Sequence, residues 1–91
     1  MNKARRKQIR DIMNRMEALK EEAEILKNDL ETIMDDEQDA LDNLPESIQE
    51  SERGEAMQET CDSLDDVVSA FDDIIESIDS SSETLEEIVG Y

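Results

Sequence analysis

Residues 64–77, LDDVVSAFDDIIES, repeat one seven-residue phrase twice and place a pair of aspartates at the same point of each copy: Asp65 with Asp66, and Asp72 with Asp73. With Glu59, Asp62, Glu76 and Asp79 they form a candidate acidic interaction face. Carboxylates so spaced could take part in acid–base chemistry, hold a hard cation, meet a basic partner or solvate a helix. The chain has no histidine, which removes the commonest general base, the usual nucleophile triads and the commonest transition-metal ligand. No enzyme and no cofactor are expected.

A calcium loop is the sharpest alternative for the acids. Asp35, Glu37, Asp39 and Glu46 fall on positions one, three, five and twelve of an EF-hand spacing. Position six, where glycine makes the turn, is Ala40, and position eleven is Pro45, so the spacing lacks the backbone it needs. Cys61 is the only cysteine, cannot form an internal disulfide, and has no neighbouring base to make a thiolate, so it reads as a small core residue. Ser80, Ser81 and Ser82 could accept phosphate, but a junction or a helix cap explains them equally well.

These residues must be positioned by long helices. Gly54, Gly90 and Pro45 are the only glycines and proline in 91 residues, and 36% hydrophobic against 40% charged residues is thin for a globular core. With Ile9 at heptad position a, the first half places Ile9, Met16, Ala23, Leu30 and Leu44 at a, and Ile12, Leu19, Leu26, Ile33 and Ala40 at d. That repeat predicts a helix over about 3–43 that packs lengthwise on another helix. In the second half, a holds Met57, Leu64, Phe71, Ile78 and Leu85; d holds Thr60, Val67, Ile74, Ser81 and Ile88; e holds Cys61, Val68, Ile75, Ser82 and Val89. The acids there fall only at b, c and f.

Pro45 must end the first helix, because the residue before a proline is pushed out of helical geometry. Asn43 and Pro45 mark a turn over about 44–50, and Ser51, or Ser47 with Glu50 as a capping box, starts a second helix over about 51–89 that Gly90 closes. A kink or break at 80–82, with Thr84 and Glu87 recapping the chain, is the alternative. Two arms of about 39 residues, or about 58 Å each at 1.5 Å per residue, predict an all-α, coiled-coil-like antiparallel hairpin.

A lone pair of helices leaves its stripes half covered. A homodimer forming a four-helix bundle is therefore expected, with a core including Leu19, Leu26, Leu30, Ile33, Leu64, Val68, Phe71, Ile75 and Ile78. Small residues at g on the second helix (Ser63, Ala70, Ser77, Thr84) would admit a close neighbour.

The net charge of −18 is uneven. Residues 1–27 carry eight bases against five acids, a net +3, whereas residues 28–91 carry only Arg53 against twenty-two acids. Such a chain repels nucleic acid and anionic membranes and attracts basic partners. Folding the hairpin about residue 47 would bring Arg5, Arg6 and Arg10 near Glu83, Glu86 and Glu87, and Arg53 near Glu50 or Asp42. The segment MNKARRKQIRDIM leads into no apolar run, so neither signal peptide nor membrane span is expected, and the cytoplasm is the expected compartment.

The stretch DDEQDALDNLPESIQESERGEAMQE, Asp35 to Glu59, resembles a block found in short acidic helical proteins of phages, prophages and mobile elements of Gram-positive bacteria. Those proteins similarly begin with an MNKxRRK-like segment and finish in acidic heptads. The family has no assigned activity, so the resemblance implies a setting, the cytoplasm of a bacterial host, and no site residues. The functional expectation is protein–protein binding by a homo-oligomer, with the acidic face imitating nucleic acid on a basic host defence or DNA-processing protein. Two alternatives are a purely structural coiled coil and a nucleotide-signal sponge using Arg5, Arg6, Lys7 and Arg10.

Overall fold

The computed structural model describes residues 1–90. It contains α1 (Lys3–Asp42), α2 (Glu46–Gln49) and α3 (Glu52–Val89), with no strand among the described residues. Helices α1 and α3 pack side by side as a hairpin 68 Å long and 15 by 13 Å in cross-section. Its radius of gyration of 20.3 Å far exceeds the roughly 12 Å of a compact domain of this length. The fold is all-α, and everything it does must happen on a rod.

Local chemistry sets the ends. Asn2 caps α1 by accepting the Arg5 N–H on its side-chain oxygen at 2.9 Å. At the other end the Asn43 N–H donates to the Asp39 carbonyl. Pro45, at φ −55° and ψ 145°, stops that helix and starts α2, a single turn inside the segment expected to be a plain turn. Gln49 on α2 then reaches back and donates to the carbonyls of Leu44 at 2.8 Å and Asp42 at 3.2 Å. Those carbonyls lie beyond the reach of α1's own ladder, so Gln49 closes the helix end.

Ser51 is the N-cap of α3, as its place before Glu52 suggests, but its hydroxyl donates back to the Ile48 carbonyl and not forward into α3. The Ser47–Glu50 capping box does not form; Pro45 stands at the cap of α2. Gly54 is buried within the first turn of α3 because α2 crosses it there. A Cβ at this position would overlap the Gln49 carbonyl and lie 2.7 Å from the Gln49 Cα. At Gly90 the backbone stays right-handed, φ −73°, so that cap makes no demand for glycine.

The helix runs unbroken through Ser80–Ser82, where Thr84 Oγ1 donates to the Ser80 carbonyl at 3.1 Å. The serines therefore join the helix and do not kink it. Likewise Asp35, Glu37 and Asp39 lie on continuous α1, which excludes a calcium-loop backbone there.

The seam between the helices differs from the expected a and d columns. On α1, Ile9, Met13, Met16, Lys20, Ala23, Lys27, Leu30, Met34, Glu37, Leu41 and Leu44 are sheltered, alternating between a and e. On α3, Gly54, Met57, Cys61, Leu64, Val68, Phe71, Ile75 and Ile78 follow the same rule. Among the described apolar side chains, only Ala23, Leu41, Cys61 and Val68 are buried outright. At e on α1, Met13 and Met34 are half-buried and Leu41 is buried, and the d column takes the exposed place.

The reason lies in both columns of α1. Ala23, at a, is small enough for close approach, and at e the lysine stems of Lys20 and Lys27 lie along the seam while their ammonium groups reach past it. Lys20 Nζ meets Asp79 at 2.8 Å and Lys27 Nζ meets Asp72 at 2.6 Å. In both pairs the residue numbers add to 99.

Candidate protein-binding faces

The hairpin has two outward faces of opposite character. Along the first, Glu59, Asp62, Asp65, Asp66, Asp72, Asp73, Glu76 and Asp79 are all exposed on α3. Their heptad positions turn them away from the seam, and the helix keeps them about 1.5 Å of rise apart per residue, so the array is stiff and regular. Arg53 is the only base on this helix, and it forms no ion pair with Glu50 or Asp42 among the described residues.

Two of the eight acids are already engaged. The hydrogen bond that Lys20 donates to Asp79 raises the Lys20 pKa above 10.5, against partial desolvation, and the one that Lys27 donates to Asp72 does the same for Lys27. Both lysines also lean on i,i+4 acids, Glu24 at 4.0 Å and Glu31 at 3.6 Å. That leaves Glu59, Asp62, Asp65, Asp66, Asp73 and Glu76 without an intrachain cation among the described residues. Sequence reasoning treated all eight as one outward face; it missed the two lysines because e-column bases on a coiled coil read as solvated.

The second face is apolar. Ile12, Leu19, Leu26 and Ile33 of α1, and Val67 and Ile74 of α3, are between 42% and 58% exposed. Leu19 lines one open groove with Ile74, Ser77 and Ser81, so the stripes of the two helices lie on the same side of the rod. Of the expected oligomer core, Leu19, Leu26 and Ile33 stand in this face, whereas Leu30, Leu64, Val68, Phe71, Ile75 and Ile78 line the seam within the hairpin.

The basic start of α1 is not neutralised by the acidic end of α3. Arg5 and Arg10 are exposed, and Arg6 is half-buried with its Nε enclosed and without a hydrogen-bond partner among the described residues. No ion pair joins Arg5, Arg6 or Arg10 to Glu83, Glu86 or Glu87 among the described residues, and Lys7 pairs locally with Asp11 at 3.0 Å.

Cys61 sits in the seam, 4% exposed. Burial pushes its thiol pKa up from 9.0, and the nearby charges of Glu37, Asp62 and Asp42 push it the same way, so the reactive thiolate is suppressed. The described residues hold no group of three or more side chains placed to share a metal ion, and no described helix is long and apolar enough to cross a membrane. Set against known proteins, the chain matches no family model, no curated protein and no solved structure.

Proposed function

We propose that this chain is a non-enzymatic binding protein: a helical hairpin that self-associates through its apolar face and presents its acidic face to a basic protein surface. The observation that carries the reading is the division of α3. Every acid on it falls at b, c or f, while d and g hold none. Solubility alone asks for scattered charge of both signs. An all-acidic side without a single lysine or arginine after Arg53 gives up the i,i+4 pairs that would steady the helix, and suits a basic groove of the kind that holds nucleic acid. A host defence or DNA-processing protein of a bacterial cell is the partner class that fits, in keeping with the phage-like resemblance of residues 35–59.

The test must spare the two acids that pair with lysines across the seam. Replacing Asp65, Asp66 and Asp73 with Asn and Glu76 with Gln leaves Asp72–Lys27 and Asp79–Lys20 in place. Affinity capture from a bacterial extract, followed by mass spectrometry, should return a basic protein with the native chain and lose it with the quadruple variant at unchanged helicity. Capture of the same protein by the variant would contradict the reading.

A further inference from the structure

The apolar face is unaccounted for by acid recognition, and the charges beside it say what covers it. On α3 its shoulder is the g column of Ser63, Ala70, Ser77 and Thr84, so a neighbour can approach closely without meeting a charge. On α1 its shoulder is charged, and in an order that harms an isolated helix. The first turn holds no acid and the last turn no base, the reverse of what the helix dipole favours. Arg15 lies on this flank with no ion pair among the described residues, and borders a groove with Ile12 and Leu19.

We propose that two copies pack through this face with their α1 helices antiparallel, Ile12 of each against the partner's Ile33 and Leu19 against the partner's Leu26. The inference rests on the self-association in the reading above and adds which helices meet and in what register. The four residues are spaced by seven and symmetric about a point between Glu22 and Ala23, so an antiparallel copy centred there covers all of them at once. That placement sets Arg15 beside the partner's Asp29, and Arg5 opposite the partner's uncharged Ala40. The inverted charge order of α1 becomes complementary when the second helix runs the other way.

The partner's α3 is a poorer cover for α1. Its d and g columns hold no base after Arg53, so they offer nothing to pair with Asp29 and Asp36 on the flank of α1. In the antiparallel arrangement α3 meets the partner's α3 through uncharged columns. The one like-charge contact, Glu22 against the partner's Glu22 near the axis, is at a column that water reaches. In this register the two α1 helices overlap along their whole length, Lys3 to Asp42, about 60 Å.

Mixed cross-linking tests the register. With Cys61→Ala as background, Ile12→Cys and Ile33→Cys are made as separate single variants, checked for native helicity, and oxidised alone and after mixing. Antiparallel pairing predicts an interchain disulfide in the mixture and little in either variant alone, where the two thiols of a dimer lie about 30 Å apart. Sedimentation of the same samples separates the two layers of the argument. Dimers that cross-link in the single variants, or do not cross-link when mixed, would overturn the register while leaving self-association standing. Monomers at every concentration would overturn both.

Discussion

Replacing Gly54 with Ala puts the geometry of the turn to a test whose sign is not obvious. Alanine is favoured over glycine inside a helix by about 1 kcal/mol, so propensity alone predicts stabilisation of α3. Against this, the new Cβ would overlap the Gln49 carbonyl, with the Gln49 Cα 2.7 Å away, and backbone cannot swing aside as a flexible side chain would. Overpacking of this kind costs about 1–3 kcal/mol. Moving α2 away would also break the Gln49 hydrogen bonds to Leu44 and Asp42, worth about 0.5–1.5 kcal/mol each. The net expectation is destabilisation by about 1–4 kcal/mol, read by urea denaturation followed by circular dichroism. Gly90→Ala is the control, because its Cβ would meet the Glu86 carbonyl at 3.3 Å and has solvent elsewhere to relax into. A Gly54→Ala variant as stable as the native chain, or more so, would refute the close approach of α2 to α3.

The seam gives two further expectations. Cys61 should react with a thiol reagent at the rate of global unfolding and not at the rate of a free thiol, since burial and neighbouring acids both suppress its thiolate; rapid labelling of the folded chain would contradict its place in the seam. Lys20 and Lys27 carry folded pKa values above the 10.5 of the unfolded chain, so their contribution is fully present below pH 10.5 and fades as pH rises through the raised values. Thermal melts of a Lys20→Met, Lys27→Met variant should therefore lose less stability over that alkaline range than the native chain does.

The sequence made the helices legible and the choice of seam obscure. Heptads over 3–43 and 51–89, with Asn43, Pro45 and Ser51 between them, anticipate α1 and α3 to within a residue or so at each end. The heptad lettering also favours d over e on the first helix, because d holds Ile12, Leu19, Leu26 and Ile33 while e holds Lys20 and Lys27. The folded chain takes e, since lysine stems can lie in a seam if their charges find Asp72 and Asp79 outside it. No pattern of apolar residues carries that information; it depends on which acids of the other helix stand within reach.

Gly54 was hidden for a different reason. A glycine three residues past a cap reads as a weak point in a helix, and only the crossing of α2 turns it into a requirement. The acidic side of α3 was visible from its b, c and f positions, yet its division into six free acids and two engaged ones became apparent only with the 99-residue sum of the cross-helix pairs.

The central claim is that the hairpin is half of an assembly whose apolar face is covered by its own copy. Sedimentation equilibrium across a range of concentrations, at low and high salt, bears on it most directly. The account predicts a species of twice the 10.4 kDa chain mass that tightens as salt screens the repulsion between two chains of net charge −18. A 10.4 kDa species at high concentration and high salt would contradict it.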